Sequence, residues 1–236
     1  EFAIIKAGQG KSELDPHVTL FQDSEFVKHL YGACSVGIQC GAYYYLTSTT
    51  VEEAEEQADH FISIMNPHKE KITLYAVVDV ESKYLPVDKH LLTKIVRAFC
   101  KKVKDAGYSE AIYTNPDFLT SRLDDVSDIK LWLALWRDKN NLPSFGKYPN
   151  IKIWQWGVDS VDGVKGKVDA NIEMSKQEKE ETPNDFGASE WSFDAVKWAI
   201  DNKLAVGNAA VFLHQRFIGQ MVADGTGFQL VTQRSR

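Results

Sequence analysis

Two hydrophobic periods alternate along the first two thirds of this chain, and that exchange restricts its fold more than any other feature. Phe2-Ala3-Ile4-Ile5-Lys6-Ala7 is a short, β-branched apolar run closed by Gly8-Gln9-Gly10, the pattern of a buried strand entering a loop. A helix is predicted over Ser24 to Ala33, then a strand over Val36 to Leu46 that carries Tyr43, Tyr44 and Tyr45. Thr50 and Glu53 form a capping box for a helix whose apolar face uses Ala54, Ala58, Phe61 and Ile62. Ile72 to Val80 is the next strand. Leu91, Leu92, Ile95, Val96, Phe99 and Val103 then mark an amphipathic helix that stops at Gly107. A strand at Ala111-Ile112-Tyr113, a short helix over Pro116 to Leu123 and strands over Leu131 to Trp136 and Ile151 to Trp156 follow, with no helical pattern between the last two.

Strands spaced by helices in this way predict a parallel α/β sheet, and late strands without helices predict an irregular, TIM-like (β/α) barrel. An open doubly wound sheet is the competing layout. Its dinucleotide-binding form lacks support, because no G-x-G-x-x-G follows the first strand. Near Met174 the composition changes: 175–184 is charged and contains Pro183, as a linker does, and Ser189 caps a helix with Trp191, Ala195, Trp198 and Ala199 on one face. The expected organisation is a barrel over 1–173, a linker over 174–188 and a small, mainly helical segment over 189–236, which at that size needs something to pack against.

The 236 residues carry a net charge of −6, which disfavours a phosphate-binding surface and hence a nucleic-acid partner. No apolar run approaches the ~18 residues of a membrane span. Three cysteines, Cys34, Cys40 and Cys100, without C-x-x-C spacing point to neither a disulfide framework nor a zinc site, and are expected to be buried. Aromatic residues are abundant at 11%, which suits a surface that covers the apolar faces of sugar rings.

The chemistry concentrates at Val78-Asp79-Val80-Glu81. Carboxylates at i and i+2 leave one face of a strand, roughly 6.5–7 Å apart along its axis. At the carboxyl end of a barrel strand both enter one cleft. Crowding raises the pKa of one acid, so that it keeps a proton while its neighbour is charged, which is what glycosidic cleavage requires. Asp169, in Val168-Asp169-Ala170-Asn171, is a third acid on the expected closing strand, and Trp132, Trp136, Trp154 and Trp156 lie near the ends of the late strands.

Seven blocks occur in the order seen in glycoside hydrolase family 25. They are Phe2 to Ala7, Val36-Gly37 with Gly41-Ala42-Tyr43-Tyr44, Val78 to Glu81, Ile112-Tyr113-Thr114, Leu131 to Ala134, Trp154-Gln155-Trp156 and Gly166 to Asn171. The chain thus resembles the lysozymes, or N-acetylmuramidases, of bacteria and their phages over residues 1 to about 173. The resemblance implies a barrel with fewer than eight helices that cleaves the β-1,4 bond between N-acetylmuramic acid and N-acetylglucosamine in peptidoglycan glycan strands. By position, Glu81 resembles the general acid, Asp79 the stabilising carboxylate and Asp169 a further acid of the cleft. Tyr43, Tyr113, Trp132, Trp154, Gln155 and Asn171 resemble wall and substrate-binding residues.

No metal or organic cofactor is implied. The implied setting is extracellular, cell-wall associated, or that of a phage lysin released from the host cytoplasm. Members usually open on a strand with a D-x-S-x-x-Q pattern upstream of what is here Phe2 to Ala7. Its absence implies a truncated form or a tail that fills the gap, with Phe228 to Thr232 as the candidate strand. A degenerate, weakly active peptidoglycan-binding barrel is the alternative; a chitinase-like enzyme is disfavoured because the longer D-x-x-D-x-D-x-E row is missing. The segment around Phe193 to Ile200 is also similar to a wall-attachment repeat, so the tail is expected to be a packing element or a wall-binding module.

Overall fold

The computed structural model describes residues 1–11, 20–141, 148, 150–161, 164–174 and, for the backbone, 228–231. Among these, nine strands form one curled, half-barrel sheet: β1 (Phe2–Gln9), β2 (Phe21–Gln22), β3 (Gln39–Tyr45), β4 (Ile72–Asp79), β5 (Ser109–Thr114), β6 (Lys130–Ala134), β7 (Ile151–Ser160), β8 (Lys167–Glu173) and β9 (Phe228–Val231). The order is β2-β1-β3-β4-β5-β6-β7-β8. From β1 through β7 neighbours are parallel, whereas β8 is antiparallel to β7, and β2 and β9 are antiparallel to β1. The expected linker and the rest of the expected C-terminal segment lie outside the described residues.

Period-two alternation sorts each strand between two cores. Ala3, Ile5, Ala42, Tyr44, Ala76, Val78, Ile112, Leu131 and Leu133 face helices α1 (Phe26–Ser35), α2 (Val51–Met65) and α3 (Lys89–Asp105), meeting Phe26, Leu30, Phe61, Leu92 and Phe99. Phe2, Ile4, Val77, Ala111, Tyr113, Trp132 and Ile153 point the other way and pack on one another. The sheet curls around this second, smaller core, and the cleft stands on it. Gly41 permits the close strand contact there, since a Cβ would lie 2.5 Å from the Tyr75 carbonyl oxygen.

The helix ends follow their residues. Thr50 Oγ1 accepts from Glu53 N at 3.1 Å, but the Glu53 carboxylate accepts from Thr49 N at 2.7 Å, one residue before the usual capping-box partner. Asp88 caps α3, its carboxylate accepting from Leu91 N at 2.7 Å, and Gly107 at φ +83° ends it. Cys40 and Cys100 are buried as expected. Cys34 is only half-buried, its Sγ 3.7 Å from Cys40 Sγ.

The edge of β1 has partners. β9 pairs with it antiparallel, Phe2 opposite Val231 and Ile5 opposite Phe228, and β9 also runs beside β8. The tail strand expected from the alternation at Phe228 to Thr232 therefore lies where backbone groups of β1 need partners.

Candidate active site

Asp79 sits at the end of β4 two residues after Val77, on the inner face. The local backbone is pinned from both sides: Leu46 N donates to Asp79 O at 3.0 Å, Val80 N to Tyr113 O at 2.9 Å, and Thr114 Oγ1 to Val80 O at 2.8 Å. These bonds fix where the strand stops, and hence how Asp79 and Glu81 are presented. Asp79 is buried, at 6% exposure, and its Oδ1 meets no donor among the described residues. Glu81 is exposed at the rim, and Asp169 on β8 is half-buried.

Burial raises the Asp79 carboxyl well above the usual carboxylate range, the neighbouring Glu81 raises it further, and Lys6 opposes both. Glu81 is raised too, by partial burial of its carboxyl and then by Asp169. Tyr43 and Tyr113 are likewise raised by burial, and each feels Asp79, Glu81 and Asp169. Three acids from β4, its following loop and β8 thus share one electrostatic neighbourhood, walled by tyrosines that stay neutral.

A chain of hydrogen bonds builds the opposite wall. Tyr113 faces Asp79 across the β4–β5 register and donates from its hydroxyl to Gln155 Oε1 at 3.1 Å. Trp136 Nε1 donates to the same oxygen at 3.1 Å. Tyr113 also stands edge-on to Trp132 with ring centroids 4.7 Å apart, and Trp132 Nε1 donates to Asn171 Oδ1 at 2.7 Å. The structure therefore brings together Tyr43, Asp79, Glu81, Tyr113, Trp132, Gln155, Asp169 and Asn171.

Trp154 is a correction to the sequence reading. It alternates with Ile153 and Gln155, which both face inward, so its ring lies on the far side of β7 at 0% exposure, with its indole N–H on Leu135 O at 2.7 Å. It is a packing residue. Trp136, which the sequence reading noted at a strand end without assigning it to the site, is 63% exposed at the rim. Its spacing of two residues from Ala134 and four from Trp132 is the available signal. Lys6, in register with Tyr43, was likewise not assigned. Among the described residues no group of His, Cys, Asp and Glu could hold a metal, and no helix is long and apolar enough to cross a membrane.

The chain is similar to known proteins in sequence and in fold. The sequence matches the glycosyl hydrolases family 25 over residues 1–164. The fold is similar to the modular autolysin LytC from Streptococcus pneumoniae, solved in complex with synthetic peptidoglycan ligand, at TM-score 0.58 and 22% identity, covering 70% of this chain and 39% of that one. It is similar to the Clostridium perfringens spore cortex lytic enzyme SleM at TM-score 0.59 and 25% identity, covering 71% and 58%. The bacterial lysozyme from Streptomyces coelicolor gives TM-score 0.58 and 21% identity, covering 87% and 88%. The chain thus spans about two fifths of LytC and three fifths of SleM. No curated protein sequence matches it significantly.

Proposed function

We propose that this chain, which belongs to the glycosyl hydrolases of family 25, hydrolyses the β-1,4 bond between N-acetylmuramic acid and N-acetylglucosamine in peptidoglycan. The observation that carries the proposal is the Asp79–Glu81 pair: one acid at the end of a buried strand and one two residues on, Asp79 pushed well above the usual carboxylate range and Glu81 raised from its ordinary value. So close a pair titrates as a unit, and the singly protonated form supplies both things the reaction needs. Glu81, at the open rim, gives its proton to the departing glycosidic oxygen. Asp79, deeper, faces the positive charge that develops at the sugar carbon or on the substrate's own acetamido group, and its charge counts for more because water is excluded there. Asp169 keeps the Glu81 proton in place by disfavouring a second negative charge. Tyr43, Tyr113, Trp132 and Asn171 shape and line the cleft.

In the same reading the curled sheet is an irregular TIM-like barrel with fewer than eight helices, residues 174–188 are a linker, and 189–236 are a small, mainly helical segment that also supplies β9. The enzyme acts at the cell wall, either from outside the cell or as a lysin released by a phage. Purified cell walls should clear on addition of the protein, with new reducing ends on N-acetylmuramic acid. Binding without new reducing ends would leave a wall-binding barrel instead.

A further inference from the structure

Cys34 and Cys40 stand on either side of the turn that carries the chain from α1 into β3. Three backbone bonds hold that turn. Val36 N and Ile38 N donate to Ala33 O at 3.2 and 3.1 Å, and Gly37 N donates to Cys34 O at 3.1 Å, with Gly37 at φ +80°. The left-handed residue lets the chain reverse tightly and brings the last turn of α1 back beside the start of β3. The two sulfurs consequently meet, Cys34 Sγ lying 3.7 Å from Cys40 Sγ. Independent contacts agree with that placement. Cys34 Sγ is also 3.7 Å from Lys71 O, next to Ile72, and Ile72 lies opposite Cys40 in the β3–β4 register. Cys40 Sγ is 3.4 Å from Ile38 O within the turn.

Closing this gap to the ~2.05 Å of a disulfide takes less than about 2 Å of sulfur movement. Rotation of the Cys34 side chain about its Cα–Cβ bond, one residue from the end of α1, moves the sulfur that far. The two thiols differ in access. Cys34 is half-buried, whereas Cys40 is fully buried, and that burial, with Cys34 beside it, pushes the Cys40 thiol far up from its ordinary range. Cys34 is therefore the sulfur that an oxidant from solution reaches first. Cys100, buried on α3, is pushed up by burial as well.

We propose that Cys34 and Cys40 form an oxidation site, which a small-molecule disulfide such as oxidised glutathione converts to an intramolecular disulfide. The Cys34 thiolate attacks one sulfur of the oxidant, whose S–S bond breaks, and one thiolate leaves a mixed disulfide behind. Cys40 then attacks Cys34 Sγ, the mixed bond breaks, and the second thiolate departs. Two protein thiols lose two electrons, the oxidant gains them, and the two protons end on the two released thiols. The new bond ties α1 to β3 and restricts the unfolded chain, so the oxidised protein outlasts the reduced one on heating.

The test incubates the full native chain with excess oxidised glutathione at mildly alkaline pH, blocks remaining thiols with iodoacetamide during unfolding, and maps tryptic peptides by mass. No Lys or Arg lies between the two cysteines, so one peptide carries both. That peptide should be unalkylated and two hydrogens lighter, with Cys100 alkylated. The oxidised chain should melt about 5 °C above the reduced one, and a reductant should reverse the gain. Cys40→Ala should stop at glutathione bound to Cys34. Alkylation of all three wild-type cysteines, a native cross-link to Cys100, or glutathione that stays on wild-type Cys34 overturns the proposal without needing any variant to fold. A disulfide that leaves the melting temperature where it was overturns the staple. The reaction needs no wall substrate, so each outcome leaves the hydrolase reading untouched.

Discussion

A carboxyl that is to give up a proton near neutral pH must be kept from losing it early, and in the Asp79–Glu81 pair, where that carboxyl is Glu81, the two acids are raised by different balances. Burial dominates at Asp79; at Glu81, more open, the repulsion of Asp169 assists. Glu81→Gln is isosteric but carries no acidic proton, so wall hydrolysis should drop by about 10²–10⁴-fold while thermal unfolding hardly moves, since Glu81 is exposed. The pH–rate profile should be bell-shaped, both limbs belonging to the carboxyl pair, with the alkaline limb above the usual carboxylate range. In Asp169→Asn that limb should shift to lower pH, because the charge that raises Glu81 is gone; an unmoved limb would show that Asp169 does not act on the acid. The acid pair is legible in the sequence as two carboxylates two residues apart where an apolar strand ends, Asp79 closing β4 and Glu81 following it. Trp154 was misjudged for a related reason. Neighbours on a strand face opposite ways, so Trp154 and Gln155, both implied by the resemblance, cannot share the inner face, and here the inward residue is the glutamine.

Strand β9 shows how an element can matter through its backbone alone. Phe2 to Ile5 of β1 lie opposite Val231 to Phe228, and removing that partner exposes a row of N–H and C=O groups next to a buried core. Each such group left buried and unpaired costs on the order of 1–3 kcal/mol. A chain ending at Gly227 should therefore melt several degrees lower than the full chain, more than Thr50→Ala, where loss of a helix cap costs about 1 kcal/mol or 2–4 °C. Melting at an unchanged temperature would mean that β1 does not depend on β9. The parallel core and the three long helices are readable because their apolar periods run long and because Thr50 and Gly107 mark a start of α2 and an end of α3. The antiparallel course of β8 was not, since side-chain periodicity carries no information on strand direction. The turn at Phe118–Arg122, read as an ordinary short helix, is of the wider π type.

At the scale of the whole molecule, the site and the surface act on stability with opposite signs as pH changes. On the surface, the Arg97 guanidinium holds Asp128 below the usual carboxylate range, with Arg97 Nη2 2.7 Å from Asp128 Oδ1. Such a pair supports the fold above the unfolded pKa and ceases to do so as pH falls through the folded one, but exposure keeps its contribution small. Asp79 works the other way and from a buried position. Its folded pKa lies above the unfolded value of about 3.9, so between the two the folded state binds more protons than the unfolded state, and stability falls as pH rises. Below the unfolded pKa both states are protonated and the cost vanishes; above the folded pKa it is complete. Asp79→Asn removes the charge while keeping the shape. It should leave stability nearly unchanged near pH 3.5 and raise it by about 1–2 kcal/mol, or roughly 2–8 °C in Tm, at pH 7, while abolishing wall hydrolysis. Thermal melts of both proteins across this range decide the matter: a gain that grows with pH assigns the cost to the buried acid, whereas one that is flat or shrinks with pH would place Asp79 in a site that already satisfies its charge.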